Sequence, residues 1–179
     1  PTAARCLVFR RHVFLGVKNS SEKIHIGLSN LDIFTGKSSI FEFSNIYQHD
    51  PSTYDELERY ISINNPSEVL FVHNITNDQI EDIIKFCNIN ANSILKVDTT
   101  NIDDNNYKKA EKCEKQTYQS EIIKTYFPSI DDEIFFETYQ NFPIATQAFC
   151  FLLDFVYTHN PNLINRISQP SFENCSERL

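Results

Sequence analysis

The most regular alternation of hydrophobic and polar residues lies between Ile24 and Phe43. In residues 24–28, isoleucine and leucine alternate with polar or small residues, which is the two-residue period of a strand with one buried face. Residues 40–43 add β-branched and aromatic types that favour strands. Gly36 lies between the two runs and can adopt the positive φ of a tight turn. We therefore predict a β-hairpin. Its sequence contains neither a nucleophile paired with a base nor a cluster of metal ligands, so it does not indicate catalysis.

A first apolar run, Cys6 to Val17, precedes the hairpin and is interrupted by Arg10-Arg11-His12. The run predicts one bent strand or two short strands, and we expect it to pair with the hairpin. The basic triplet is typical of a solvated strand face or a bulge. Contact with a phosphate backbone is the alternative.

Helical and strand patterns alternate after the hairpin. The pattern predicts a helix from the capping box Thr53-x-x-Glu56 to about Ile63, a buried strand at Val69 to Val72, a helix from the capping box Thr76-x-x-Gln79, and a strand at Ile94 to Val97. This order implies parallel strands joined by crossover helices. We expect the Val69 strand to lie beside the first run.

Two further helices are predicted in the second half of the chain. The charged segment from Tyr107 to Phe127 predicts one long helix. Its charged residues form either a solvated face or a stripe that binds a partner protein. Pro143 to Thr158 is apolar on nearly all sides, which predicts a helix packed between other elements. The tail from Leu163 to Leu179 is predicted to be extended.

The order of these elements predicts the fold. An antiparallel three-strand meander followed by αβαβα is the order of the ribonuclease H-like fold, an α/β fold with a mixed sheet and helices on both faces. A flavodoxin-like fold would alternate strands and helices from the start.

Composition and charge narrow the function classes. The 179 residues carry a formal charge of −8, whereas proteins that grip the DNA backbone usually present a basic face. No apolar run is long enough to span a bilayer, and no signal peptide opens the chain. The five cysteines form no C-x-x-C pair, which favours an intracellular, reducing compartment. Because the chain begins with Pro1, we expect it to be a piece of a longer protein.

Several short motifs resemble the connector domain of the MutS mismatch-repair family. The hairpin sequence I-G-L-S-N-L-D-I-F-T-G-K, from Ile26 to Lys37, resembles the family's hairpin. Asn65 to Leu70 resembles the entry to its next strand, and Ala145 to Tyr157 resembles the helix that leads into the MutS core. Ile167 to Pro170 resembles the start of that core. Residues 99–135 match no motif of the family.

The resemblance implies a function for the chain. Residues 1–128 would be the connector domain, and residues 129–179 the linking helix and the start of the core or lever domain. The chain would be a non-catalytic module that relays conformational change between the mismatch-binding and ATPase parts of a dimeric parent. Implied partners are neighbouring domains, a MutL-like protein and, through the parent, mismatched DNA, with no membrane. No cofactor is expected in this chain, while ATP and magnesium belong to the parent.

Candidate site residues are few. The resemblance assigns Gly27, Asp32, Thr35 and Gly36 to a structural hairpin motif and implies no catalytic, cofactor-binding or metal-binding residue. The Asp32 carboxylate is expected to accept hydrogen bonds from turn N–H groups. With three glycines, the chain cannot build a Walker A loop.

Two alternative functions remain open. The first is a metal-dependent ribonuclease H-like nuclease, although the first strand lacks the carboxylate that two-metal hydrolysis needs. The second is a domain that binds a small ligand near His73 and Asp98, each of which follows or ends a predicted strand. His73 alone is more typical of a loop residue.

Overall fold

A mixed six-stranded sheet organises the chain. The computed structural model describes residues 3–15, 20–46 and 51–173. The strands are β1 (Ala3–Leu15), β2 (Ser20–Asp32), β3 (Ser38–Ile46), β4 (Glu68–His73), β5 (Ser93–Asp98) and β6 (Ser171–Glu173). The helices are α1 (Asp55–Asn64), α2 (Asn77–Phe86), α3 (Tyr107–Cys113), α4 (Gln116–Tyr126), α5 (Asp132–Tyr139) and α6 (Pro143–His159). Short 3₁₀ helices cover Pro51–Tyr54 and Pro161–Arg166.

The strand order is β5-β4-β1-β2-β3-β6. β1, β2 and β3 form an antiparallel meander, β4 lies parallel to β1, and β5 lies parallel to β4. This is the ribonuclease H-like arrangement, so the predicted fold class is confirmed. The predicted hairpin and its pairing with the first run are confirmed, as is the position of the Val69 strand beside that run. The side chains of Arg10-Arg11-His12 lie outside the described residues.

The two faces of the sheet carry separate cores, with helices on each. On one face, α1 and α2 cover apolar residues of the central strands, including Ile26, Val69 and Phe71. On the other, α3 to α6 cover the alternate residues, such as Leu70 and Val72. Successive residues of β4 thus enter opposite cores, as the two-residue period of a strand requires.

Helix α6 packs directly against the sheet at Gly27. A Cβ atom added at Gly27 would lie 2.3 Å from the carbonyl carbon of Ile144. Glu42 is the cross-strand partner of Gly27, and its carboxylate oxygens accept long hydrogen bonds from the N–H groups of Ile144 and Ala145, at 3.4 and 3.5 Å. A glycine and a carboxylate, side by side on the sheet, therefore seat the start of α6.

The C-terminal segment returns to the hairpin. The N–H of Ser168 donates to the carbonyl oxygen of Gly36 at 2.8 Å, and β6 adds to the sheet edge beside β3. The extended tail was therefore only partly predicted: a 3₁₀ helix precedes a short strand, and residues 174–179 lie outside the described part. The boundary at residue 128 stays a prediction. Residues 132–173 contribute α5, α6 and β6 to the same sheet and core.

Some predicted helices differ from those observed. Thr53 does not cap α1, because a 3₁₀ turn precedes the helix and Tyr54 is its N-cap residue. The single helix predicted from Tyr107 to Phe127 is wrong. Lys115 has extended dihedral angles that separate α3 from α4, and the Gln119 amide donates to the carbonyl oxygen of Cys113 at 2.8 Å, which satisfies the end of α3.

Within the described residues, no helix is both long enough and apolar enough to cross a bilayer.

Candidate ligand pocket at the ends of β4 and β5

An open pocket of about 450 Å³ lies where β4 and β5 end and α2 begins. Its lining residues follow the two strands or belong to the first turn of α2: Asn74, Ile75, Thr76, Asn77, Gln79, Asp98 and Thr100. In open α/β sheets, ligands bind beyond the carboxyl ends of the strands. The topology therefore places this pocket where the fold offers a binding site.

The α2 side of the pocket is held by a capping box. The N–H of Gln79 donates to Thr76 Oγ1 at 3.3 Å, and the N–H of Thr76 donates to Gln79 Oε1 at 3.0 Å. This predicted motif is confirmed. Because two backbone donors are satisfied reciprocally, the first turn of α2 has a fixed geometry.

The β5 side presents a carboxylate. Asp98 Oδ1 accepts hydrogen bonds from the N–H of Thr100 at 2.8 Å and from Thr100 Oγ1 at 2.6 Å. The hydroxyl hydrogen bond is the main reason why the pKa of Asp98 lies below its usual value. Asp104 Oδ2 in turn accepts from the N–H of Asp98 at 3.1 Å. Asp98 is therefore ionised at neutral pH and fixed within its loop.

His73 lies beside this pocket but is buried. It is the cross-strand neighbour of Asp98 and is only 1% exposed. Its Nδ1 donates to the carbonyl oxygen of Ile75 at 3.0 Å, and Thr99 donates to the His73 carbonyl oxygen through N–H and hydroxyl. Burial lowers the pKa of His73 in spite of the nearby carboxylates. His73 is thus a neutral residue that joins the two loops below the pocket.

The chemistry of the lining favours neutral or cationic polar ligands. Amide side chains such as Asn77 both donate and accept hydrogen bonds, and the carboxylate of Asp98 only accepts. Asp98 and the nearby Asp104 disfavour an anion. The polar pocket therefore differs from an apolar cofactor cleft.

The ribonuclease H-like fold raises the possibility of a divalent metal site. The described residues do not fit such a site. Across that part of the chain, no three His, Cys, Asp or Glu side chains come together as a metal site. The sequence of β1 contains no acidic residue, although two-metal hydrolysis depends on convergent carboxylates. Asp98 and Asp104 alone make an incomplete ligand set.

Three of the four hairpin residues assigned to a structural motif, Asp32, Thr35 and Gly36, lie at the opposite end of the strands from the pocket, whereas Gly27 lies in the middle of β2. Asp32 pairs with Ala3 at the start of β1, whereas the pocket lies at the end of β4. Asp32 Oδ1 accepts from the N–H groups of Phe34 and Thr35, at 2.9 and 3.3 Å, and the first of these is the main cause of its lowered pKa. The assignment of the motif to a structural role alone stays a prediction.

The sequence indicated the correct end of the strands for the pocket, but it did not identify most of the residues that line the pocket. His73 and Asp98 were singled out, whereas Asn74, Asn77 and Thr100 were not. A local sequence pattern could have identified these residues: they are polar, they directly follow two predicted strands, and they lie next to a capping box.

No protein-family model and no curated protein matches this chain. A solved structure that matches is that of the Fowlpox virus resolvase in complex with substrate Holliday junction DNA. The two chains are 13% identical, the match covers 86% of this chain and 99% of the resolvase, and the TM-score is 0.43. The likeness concerns the fold alone.

The predicted membership of the MutS family is therefore wrong: no family model supports it, and the matching structure described above is that of a resolvase. The function inferred from that resemblance, a non-enzymatic connector in mismatch repair, is corrected with it. The same correction applies to the cofactor assignment, with ATP and magnesium only in a parent protein, and to a MutL-like partner. The short motifs that suggested the family describe a ribonuclease H-like hairpin, strand entry and helix.

Proposed function

We propose that this chain binds a small polar ligand of the nucleoside class in the pocket at the ends of β4 and β5. The observation that carries the proposal is the Asp98 carboxylate, ionised and fixed by Thr100, in a pocket lined mainly by amides, hydroxyls and the start of α2, with Ile75 as the apolar member. A fixed carboxylate is a preorganised acceptor for hydroxyl or amino groups.

The charge of the pocket selects within this ligand class. A ribose offers neighbouring hydroxyls to a carboxylate, and a nucleobase offers an edge with both donors and acceptors to amide side chains. A phosphate group would be repelled by Asp98 and Asp104. We therefore expect nucleosides to bind more tightly than the corresponding nucleotides.

Isothermal titration calorimetry with adenosine, cytidine and their 5′-monophosphates tests the proposal. Saturable binding of a nucleoside, weakened about 10- to 150-fold in Asp98→Asn, would support it, since the change removes a charged acceptor worth about 1.5–3 kcal/mol. Asp103→Asn is the matched control, because Asp103 lies in the same loop and does not line the pocket. Equal affinity of the two variants, or no saturable binding of either nucleoside, would refute the assignment.

The order of the sheet favours a second candidate, cleavage of nucleic acid. The resolvase of similar fold was solved with Holliday junction DNA, so a four-way DNA junction is the substrate to test. Incubation with magnesium or manganese, and calorimetry with either ion, would decide the matter. Metal-dependent cleavage lost in Asp98→Asn and in Asp104→Asn would favour this candidate over nucleoside binding. No cleavage and no metal binding would exclude it.

A further inference from the structure

A second, smaller pocket lies among helices α4, α5 and α6, on the face of the sheet that carries α6. Its volume is about 130 Å³. Phe135, Tyr139 and Pro143 contribute apolar surface. Amide groups come from four glutamines, of which Gln119 and Gln147 are buried and Gln116 and Gln140 are exposed. It shares no lining residue with the pocket at the ends of β4 and β5.

Two of these side chains are polar, deeply buried and unpaired. Tyr139 is 2% exposed and Gln147 is 9% exposed, yet the described part of the chain offers no hydrogen bond to the Tyr139 hydroxyl or the Gln147 amide. Neither polar group is fully enclosed, and both residues line the pocket. Buried polar groups are nearly always paired, by protein or by ordered water, and a ligand in the pocket can take the place of that water.

The buried side chain of Gln119 is held in place by the fold. Gln119 donates its Nε2 to the carbonyl oxygen of Cys113 at 2.8 Å, which leaves its Oε1 as an acceptor at the pocket. The ring of Tyr139 is fixed by stacking on Phe135, with centroids 5.6 Å apart. An acceptor, an amide and a hydroxyl are thus presented from three helices beside an aromatic wall.

We infer that this pocket binds a neutral, planar, single-ring molecule with a cyclic-amide edge, as in a pyrimidine base. The volume suits one ring, since an apolar cavity of about 150 Å³ admits benzene. A cyclic amide offers one N–H and one carbonyl oxygen, which complement the Gln119 Oε1 acceptor and the Gln147 amide. Glu114 on the lining disfavours an anion.

Titration of the chain with uracil, followed by NMR of the glutamine side-chain amides, tests this site. We expect saturable shifts of the Gln119 and Gln147 signals, and binding of benzene at least about tenfold weaker, because benzene satisfies none of the polar groups. Gln147→Leu should weaken uracil binding about tenfold while raising the Tm, since an unpaired buried amide is replaced by an apolar side chain. Tyr139→Phe should weaken binding and preserve the stacking on Phe135.

Gln169→Leu is the matched control, because Gln169 is exposed and lies outside the pocket; its uracil affinity should equal that of the unchanged chain. Two results would overturn the inference. The first is equal affinity for uracil and benzene, which would make the pocket a nonspecific apolar hole. The second is the absence of saturable shifts with uracil, which would leave the polar groups to solvent alone. Circular dichroism of each variant separates loss of binding from loss of folding.

Discussion

Gly27 on β2 and Ile144 at the start of α6 lie so close that no side chain fits between them. A Cβ atom at Gly27 would be 2.3 Å from the Ile144 carbonyl carbon and 2.4 Å from the N atom of Ala145. Both neighbours are backbone atoms, which cannot turn aside as the end of a flexible side chain can. The position of α6 on the sheet therefore depends on a single missing methyl group.

Gly27→Ala should destabilise the fold by about 3 kcal/mol, the upper range for an overpacked core. Urea denaturation monitored by circular dichroism measures the change. Ser44→Ala on β3 is the control, because Ser44 is exposed and its replacement should cost less than about 0.5 kcal/mol. A Gly27→Ala variant with unchanged stability would contradict the close approach of α6.

Because of Glu42, the free energy of unfolding should change with pH above the pH range in which an ordinary glutamate titrates. Burial raises its pKa above the usual 4.5, and the hydrogen bonds from Ala145 and Ile144 only partly offset the effect. A raised folded-state pKa means that the contribution to stability is full below about pH 4.5 and is lost as the pH rises through the folded-state value. Glu42→Gln should remove this component.

Unfolding free energies of both proteins between pH 4 and pH 8 provide the measurement. Glu137→Gln is the control, because Glu137 is exposed on α5 and its replacement should preserve the shape of the pH profile. Parallel profiles for Glu42→Gln and the unchanged chain would show that Glu42 does not titrate abnormally.

Gly36→Ala should loosen the hairpin and the C-terminal segment together. Gly36 has φ of +74°, and a Cβ there would lie 1.8 Å from the carbonyl oxygen of Arg166. The expected loss is more than about 2 kcal/mol, from the left-handed conformation and the clash combined. Hydrogen exchange of the Ser168 amide, which donates to Gly36, should become faster. Lys37→Ala, at the exposed neighbouring position, should leave that exchange rate unchanged.

Ser67→Ala should stabilise the chain. Ser67 Oγ is fully enclosed and has no hydrogen-bond partner among the described residues, and removal of an unsatisfied hydroxyl recovers about 1 kcal/mol. Thermal unfolding should show a higher Tm. Ser62→Ala is the comparison, since Ser62 is exposed and donates to Glu58. If Ser67→Ala lowered the Tm, the hydroxyl must have a partner in solution.

The regular parts of the fold were predictable from local patterns. The alternation in 24–28 and the apolar run of β4 predicted the meander and a strand buried on both faces, because side-chain period and burial are linked. The Thr76 capping box predicted the start of α2, since its two hydrogen bonds are local. The same motif at Thr53 failed because a 3₁₀ turn displaced the start of α1.

The predictions that failed concern parts of the fold that depend on individual side-chain contacts or on tertiary packing. At the break between α3 and α4, the Gln119 amide donates a hydrogen bond to the carbonyl oxygen of Cys113. The composition of the segment does not indicate that the helix is interrupted there. α5 was not predicted, because its apolar residues Ile134 and Phe136 are partly exposed and blur the helical period. The second pocket joins Gln119, Tyr139 and Gln147 from three helices, a proximity that only tertiary packing creates.

The position of α6 has a consequence for synthesis of the chain. The meander leaves the ribosome before α6, yet the face that contains Leu31 and Ile40 is covered by α6, more than a hundred residues later in the sequence. At a synthesis rate of roughly 5–20 residues per second, that face remains exposed for about 5–20 seconds before α6 is synthesised. A nascent chain of this protein therefore passes through a stage in which this face of the meander is an exposed apolar surface, and chaperone binding should be strongest during that interval.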